Sequence, residues 1–195
     1  EADVNNLKST DYVSLEDIGS WTDNKIITIQ NVTNLNIIGS PGANLTKTKI
    51  TSPLGYGMVL KFRNVENVSL SHLNLGHSKP VCSAGVIGFY DSTNIRLDNV
   101  DLFGSGTFGF ELEKVSFFSF NHSMIYECSE YACSITDSHN IVFQNSKIKN
   151  LLENWGGSKS RGGAIDIKNS NEILFNDNLI FNIELAGNVF YFEDV

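Results

Sequence analysis

One short pattern recurs along the whole chain: a polar turn, a brief apolar alternation, a second polar turn and another apolar pair. It reads DSTNIRLDNVDLFGSG from Asp91 and DSHNIVFQNSKIKN from Asp137, and close variants begin at Asn64 and Asn169. The apolar residues of each copy alternate with period two, which indicates strands rather than helices. A repeat of roughly 20 to 35 residues made of short strands is typical of a solenoid.

The apolar positions of the repeat fix its register. Three inward-facing strands in every repeat predict an all-β fold, a single parallel β-helix of about six coils in which equivalent residues stack about 4.8 Å apart. The pairs that follow the first polar turn are Leu35/Ile37, Val68/Leu70, Ile95/Leu97, Phe118/Phe120, Ile141/Phe143 and Ile173/Phe175. The next inward positions are Leu75, Leu102, Ile125, Ile148 and Ile180, and the strands ahead of each turn supply Leu60/Phe62, Ile87/Phe89, Phe110/Leu112, Cys133/Ile135, Ile165/Ile167 and Val189/Tyr191.

The two ends of the chain are predicted to differ. Residues 1–24 do not fit the repeat, so we divide the chain into a short N-terminal cap, residues 1–24, and a β-helix domain, residues 25–195. At the other end, period-two alternation directs Val189 and Tyr191 inward and Phe190 and Phe192 outward. Apolar side chains facing outward from a terminal strand form an adhesive edge, from which we expect either continuation of the chain or self-association.

A column of asparagines is predicted at one turn, where stacked amides can share hydrogen bonds along the axis. Its members are Asn34, Asn67, Asn94 and Asn140, with Phe117 and Glu172 as interruptions. Two coils also carry insertions, residues 39–57 and residues 151–163, which are expected to project from one face.

The segment from Leu75 to Asn150 carries a second set of signals, GH…C…GV, LxGxGTxG and IxEC. It resembles bacterial right-handed β-helix repeat proteins of the pectin-lyase-like superfamily, a subgroup without an established activity. The resemblance implies right-handed coils, and in enzymes of the superfamily the substrate lies on the face of the first strand. The matching residues are Gly76, His77, Cys82, Gly85, Val86, Leu102, Gly104, Gly106, Thr107, Gly109, Glu127 and Cys128; Ala84 and Ser105 depart, where Gly and Cys are expected.

Charge and composition exclude several partners. A net charge of −8 argues against nucleic acid and against anionic membrane surfaces. No apolar run approaches the roughly 18 residues of a membrane span, so no membrane insertion is expected. No signal peptide is visible, yet the chain begins at Glu1 rather than Met, which suggests a processed product. Export is compatible with this, and we expect a secreted, periplasmic or cell-surface protein.

The sequence contains no cofactor or metal motif. Its three cysteines, Cys82, Cys128 and Cys133, include no CxxC pair and allow at most one internal bridge. We expect them to be small buried or half-buried residues. His77 and Cys82 suggest a nucleophile with its base, but no third group that would orient the base follows from the sequence.

Candidate functional residues lie on the outward rows of the first strands. Glu111 and Glu113 are two residues apart on one strand, about 6.6–6.8 Å between Cα atoms, which is near the carboxylate spacing of inverting glycosidases. Basic side chains can hold the carboxylate of a uronic acid, and aromatic rings can stack on sugars. The candidate catalytic residues are Glu111, Glu113 and Asp166. The candidate substrate-binding residues are Lys61, Arg63, Tyr90 and Lys168 on these rows and Trp155 in the second insertion.

Two classes of function remain open. One is a module that binds an extracellular polysaccharide, or cleaves it as a lyase or glycoside hydrolase. The other is a non-catalytic scaffold or adhesion domain of a larger protein or assembly. Mixed charges on an exposed strand are also the ordinary solvated surface of a β-helix, and the clustered aspartates of polygalacturonases and the acidic calcium cluster of pectate lyases are absent from the sequence.

Overall fold

The computed structural model describes residues 27–39, 47–52, 57–77, 85–152, 163–184 and 187–195. The predicted cap, Cys82 and Trp155 lie outside these residues. The strands are β1 (Ile27–Gln30), β2 (Thr33–Ile38), β3 (Thr48–Ser52), β4 (Leu60–Arg63), β5 (Glu66–His77), β6 (Ile87–Phe103), β7 (Phe108–Asn121), β8 (Met124–Tyr126), β9 (Tyr131–Thr136), β10 (His139–Gln144), β11 (Lys147–Leu152), β12 (Ile165–Lys168), β13 (Asn171–Asn176), β14 (Leu179–Glu184) and β15 (Phe190–Glu193). In the described part of the chain, no helix is long and apolar enough to cross a membrane.

Every pairing between these strands is parallel, and each strand pairs with its equivalents in the neighbouring coils. In the first stack, Leu60 pairs with Ile87, Ile87 with Phe110, and Phe110 with Cys133. In the second stack, Val68 pairs with Ile95 and Ile95 with Phe118. In the third, Leu75 pairs with Leu102 and Leu102 with Ile125. The predicted parallel β-helix is therefore confirmed.

The apolar ladders of the three stacks form one buried core. Leu70, Leu97 and Phe120 occupy equivalent positions in successive coils and are fully buried. Phe143 contacts the rings of Phe110, Phe120 and Phe175 with centroid distances of 5.7, 6.0 and 4.6 Å. Cys128 and Cys133 are buried thiols, as the sequence predicts. The pairing register assigned from the apolar pairs is thus correct through Ile173 and Phe175.

The last strand is shifted by one residue from the prediction. Phe190 pairs with Ile165 and Phe192 with Ile167, so these two phenylalanines extend the inward ladder. Tyr191 is the residue that pairs with Asp166 on the outward row. The prediction that Val189 and Tyr191 point inward is wrong. Phe190 and Phe192 are exposed because no later coil among the described residues covers them. Self-association was predicted because these two side chains were expected to face outward; it stays a prediction, but this reason for it no longer holds.

Left-handed backbone conformations form columns at the corners. The asparagine column adopts positive φ throughout, with values of 59° at Asn34 and 55° at both Asn67 and Asn94. Asn is among the few non-glycine residues that tolerate this region. Its amides also form the predicted ladder, since Asn67 Nδ2 donates to Asn34 Oδ1 at 3.1 Å. Asparagine thus serves two purposes in this column: it tolerates the positive φ of the corner, and its amide hydrogen-bonds the next coil.

Phe117 interrupts that column with φ of 57° and a side chain that is 58% exposed. Asparagine at this position would suit the backbone and reach the equivalent residues Asn94 and Asn140. We expect Phe117→Asn to stabilise the protein by about 1 kcal/mol, because a bulky residue is strained in this region. Urea denaturation followed by circular dichroism measures the change, with Ser119→Asn as a control away from the corner. An unchanged or lower urea midpoint would contradict the assignment of Phe117 to a strained position of the asparagine column.

Buried serines join the coils beside the asparagine column and at the next corner. The Val115 N–H donates to Ser138 Oγ at 3.0 Å, and the Ser138 hydroxyl donates to the Thr136 carbonyl at 2.7 Å. The Ser138 N–H in turn donates to Ser170 Oγ at 3.0 Å. Ser123 and Ser146 repeat this arrangement at a different corner. These serine columns satisfy backbone N–H groups where the strands bend and the ladder is interrupted.

Ser138→Ala is expected to destabilise the protein by about 1–2 kcal/mol, because it leaves the buried Val115 N–H without its acceptor. Thermal and urea unfolding measure the loss. Ser119→Ala makes the same chemical change on the outward face of the second stack and should have little effect. Equal effects of the two substitutions would show that the serine column does not contribute to stability.

Candidate functional site

The outward side of the first stack carries two rows of polar and aromatic side chains, which we call the first-strand face. Strand pairing aligns one row as Lys61, Gly88, Glu111, Ser134, Asp166 and Tyr191, and the other as Arg63, Tyr90, Glu113, Thr136, Lys168 and Glu193. The sequence predicted both rows except for their last members, which the shift in β15 changes. All predicted site residues within the described part of the chain lie on this face.

Tyr90 lies flat across the face because the preceding outward position of its strand is a glycine, Gly88. A Cβ on Gly88 would come within 2.8 Å of the Tyr90 ring and 2.9 Å of its hydroxyl. The hydroxyl donates a short hydrogen bond to Glu111 Oε2 in the next coil. Burial, followed by the hydrogen bond to Glu111 and the charge of Glu111, raises the pKa of Tyr90 well above its ordinary value. Tyr90 is therefore a protonated donor that orients Glu111.

Two cations of the preceding coil cover the Tyr90 ring. Lys61 Nζ lies 4.6 Å from the ring centroid and Arg63 Cζ lies 5.0 Å from it. Cation–π contacts of this kind hold the basic groups against the aromatic ring. The ring of Tyr90 is buried by these contacts. Lys61, Arg63, Tyr90 and Glu111 thus form one connected cluster across three coils.

The two predicted neighbouring carboxylates have separate partners. Glu111 accepts the Tyr90 hydrogen bond, whereas Glu113 Oε1 faces Lys114 Nζ at 3.9 Å in an exposed pair. Exposed pairs at this distance contribute little energy. Glu113 is therefore not part of the cluster that Tyr90 forms with Glu111.

Asp166 is the most enclosed charged group of the face. Its side chain is only 7% exposed, and Oδ2 pairs with Lys168 Nζ at 3.3 Å. Its other oxygen, Oδ1, has no hydrogen-bond partner among the described residues. Burial opposes protonation of Lys168, but the charge of Asp166 and its hydrogen bond outweigh burial and raise the pKa of that amine. A buried carboxylate with an unsatisfied oxygen is costly unless a ligand or water supplies a donor.

Glu111 and Asp166 share a row with Ser134 between them. Two coil spacings separate the carboxylates, about 9–10 Å between Cα atoms. Beside this row the rings of Phe108 and Tyr131 are stacked, with centroids 5.9 Å apart and an interplanar angle of 16°. Sequence analysis missed this aromatic pair. Both residues begin their strands, ahead of the alternation of inward and outward side chains from which the rows were assigned.

A polar groove of about 500 Å³ adjoins the face at the following corner. It runs along the axis between the turn residues Asn31, Asn64, Asp91 and Lys114 and the row Thr33, Glu66, Thr93 and Ser116. Thr93 and Ser116 share a hydrogen bond of 2.8 Å between their hydroxyl oxygens. The groove arises where two left-handed corners lie three residues apart, as at Asn64 and Asn67. No local sequence signal marks it, because its lining comes from equivalent positions in several coils.

The residues of the GH and IxEC signals meet at a buried corner after the third strand. His77 is buried, with Nε2 3.2 Å from the Gly85 carbonyl oxygen. Burial raises the pKa of Cys128 to about 12, although the Ser105 backbone opposes this shift. A thiol with such a pKa is not a nucleophile at neutral pH. Cys128 therefore has a structural role at this corner. Cys82 lies outside the described residues.

Within the described part of the chain, no group of three or more His, Cys, Asp or Glu side chains is arranged to hold a metal ion. Two carboxylates of the first-strand face instead have partners within the chain: Glu111 accepts a hydrogen bond from the Tyr90 hydroxyl, and Asp166 pairs with the Lys168 amine. The chemistry that these residues can perform is hydrogen bonding, charge pairing and proton transfer.

The family model described as a right-handed beta helix region matches residues 19–180, so the chain belongs to this family. No curated protein matches the chain. Among solved structures, a protein of Parabacteroides merdae provisionally described as a glycosyl hydrolase shares 9% sequence identity, with a TM-score of 0.48. The match covers 78% of this chain and 71% of the other. A similarity this low carries no information on activity.

Proposed function

We propose that the first-strand face binds an extracellular polysaccharide. The observation that carries the proposal is the row Glu111–Ser134–Asp166 beside the stacked Phe108–Tyr131 pair. Aromatic side chains pack on the apolar side of sugar rings, and carboxylates accept hydrogen bonds from sugar hydroxyls. Glu111 and Asp166 supply the carboxylate acceptors of this row.

The cations at the two ends of the row favour a sugar chain with acidic groups. Lys61 and Arg63 lie at one end and Lys168 at the other. Lys168 is already paired with Asp166, so Lys61 and Arg63 are the better candidates for binding a carboxylate. A polysaccharide ligand would place the protein outside the cytoplasm, as a secreted, periplasmic or cell-surface protein.

A more specific form of the proposal is that the first-strand face also cleaves the polysaccharide. Cα atoms about 9–10 Å apart allow the carboxyl groups of Glu111 and Asp166 to come within the range for carboxylates that act on opposite sides of a glycosidic bond with an intervening water. The hydrogen bond that the Tyr90 hydroxyl donates to Glu111 orients this carboxylate for the role of base. Asp166 would then face the leaving oxygen.

A glycan array tests binding, and reducing-end and unsaturated-product assays on the same polysaccharides test hydrolysis and elimination. We expect Asp166→Asn and Tyr131→Ala each to lower affinity about tenfold or more, the cost of losing a buried hydrogen bond or a stacking ring. Glu172→Gln, an exposed acid at a corner outside this face, is the control.

The results separate the possible functions. Binding that Asp166→Asn abolishes, without product formation by the wild type, identifies a binding module. Product formation that Glu111→Gln and Asp166→Asn both remove identifies an enzyme. No binding to any glycan by correctly folded protein would refute the proposal and leave the scaffold function.

A further inference from the structure

The outward side of the third stack has a chemistry unlike the rest of the chain. We call it the third-strand face, and strand pairing aligns its two rows as Lys49, Asn74, Asp101, Met124, Lys147 and Leu179, and as Thr51, Gly76, Phe103, Tyr126, Lys149 and Phe181. Lys47 lies at its edge and pairs with Asp101 at 2.6 Å. Four of the 14 basic residues of a chain with net charge −8 therefore gather on one face that carries a single aspartate.

Two of these lysines are held in place by an aromatic stack. The rings of Phe103 and Tyr126 are parallel within 15°, with centroids 5.5 Å apart. Lys49 Nζ lies 5.3 Å from the Phe103 centroid, and Lys149 Nζ lies 5.7 Å from the Tyr126 centroid. The order along the axis is therefore cation, ring, ring, cation.

A glycine makes this stack possible. Phe103 leans over Gly76 in the preceding coil, where a Cβ would lie 2.6 Å from the ring. The space left by Gly76 lets the ring reach towards Lys49, which stands one coil further back. The position of each amine is thus set by the packing of the face, and amines that are already ordered lose less conformational entropy when they bind.

The charges of these amines are not neutralised by the chain. Among the described residues, no carboxylate lies within 4.0 Å of Lys49, Lys147 or Lys149, whereas Lys47 is neutralised by Asp101. Leu179 and Phe181 continue the two rows with 53% and 41% of their surfaces exposed. The face therefore presents fixed positive charges beside apolar side chains along one line parallel to the axis.

We propose that the third-strand face binds a polysaccharide segment that carries carboxylate or sulfate groups. Its anionic groups pair with Lys49, Lys147 and Lys149, and its sugar rings pack on Tyr126 and Phe181. Nucleic acid fits less well, because the remaining surface of this acidic chain repels a densely charged polymer. The face is separate from the first-strand face, so this proposal stands whether or not that face binds sugar.

Binding to immobilised polygalacturonate, dextran sulfate and neutral dextran tests the proposal. In 50 mM NaCl, the wild type is expected to bind one or both charged polymers and not dextran, and 500 mM NaCl is expected to weaken binding strongly, because exposed ion pairs are screened. The double substitution Lys49→Gln/Lys149→Gln is expected to reduce affinity about tenfold, the loss of two ion pairs. Lys147→Gln, which removes an amine without a ring contact, keeps the fold intact and should reduce affinity by a smaller factor.

The controls assign the binding to a face and to a ligand class. Arg96→Gln removes an exposed cation of the second stack, outside both faces, and is expected to leave this binding within about twofold. Lys61→Gln/Arg63→Gln removes two cations of the first-strand face and reports any binding there. If that pair abolishes binding while Lys49→Gln/Lys149→Gln and Lys147→Gln do not, the third-strand face is not the site. Absence of binding to both charged polymers, or equal binding of a DNA duplex, would also overturn the proposal.

Discussion

Phe143→Ala is expected to lower the free energy of unfolding by about 3–5 kcal/mol, the largest effect of any single substitution considered for this chain. Phe143 is 1% exposed and contacts three other phenylalanine rings, two in the preceding coil and one in the next. Its removal leaves a cavity that stacked strands cannot close, because their backbones are fixed by hydrogen bonds on both sides. Urea denaturation followed by circular dichroism gives the value.

Phe117→Ala is the matched control for this substitution, since it makes the same chemical change at an exposed corner. We expect it to change stability by well under 1 kcal/mol. If both alanine variants unfolded at the same urea concentration, the ladder that contains Phe143 would not be the core of the protein.

Gly109→Ala is expected to destabilise the protein by about 2–3 kcal/mol through overpacking. A Cβ at Gly109 would lie 2.4 Å from Ile125 Cγ2 and 2.6 Å from the Ala132 carbonyl oxygen. The second contact is with backbone, so the neighbouring coil must move. Thermal unfolding measures the loss.

Gly85→Ala serves as the comparison for Gly109→Ala. The nearest contact of its Cβ would be the Phe108 carbonyl oxygen at 3.2 Å, which a small adjustment relieves. Its melting temperature should stay close to that of the wild type. A larger loss at Gly85 than at Gly109 would contradict the close approach of coils at Gly109.

The sequence predicts the fold well because inward positions of a solenoid repeat are redundant. Pairs such as Ile95/Leu97 and Phe118/Phe120 separate polar outward residues from apolar inward ones, so a shift by one residue would bury charge. The final strand lacks this protection. Val189, Phe190, Tyr191 and Phe192 are all apolar, so alternation alone allows both registers, and only the pairing of Phe190 with Ile165 distinguishes them.

The candidate site was predicted in part. Alternation places Glu111 and Asp166 on one outward row, but it cannot give the burial of Asp166 or the hydrogen bond from Tyr90. Gly88 was a usable signal, because a glycine among large outward residues leaves room for the ring of Tyr90. The same reasoning applies to Gly76 and Phe103 on the third-strand face. The groove beside Asn64 has no such signal, since its shape depends on backbone angles at two corners.

The serine columns have a consequence for how the protein unfolds. Each hydroxyl such as that of Ser138 ties its coil only to the adjacent coils, so stability is transmitted from neighbour to neighbour rather than through a shared centre. Loss of one link weakens the coupling between the coils on its two sides, so we expect these two blocks to open more independently. Hydrogen exchange of a Ser138 variant would then show two groups of amides with different protection, one on each side of the broken link.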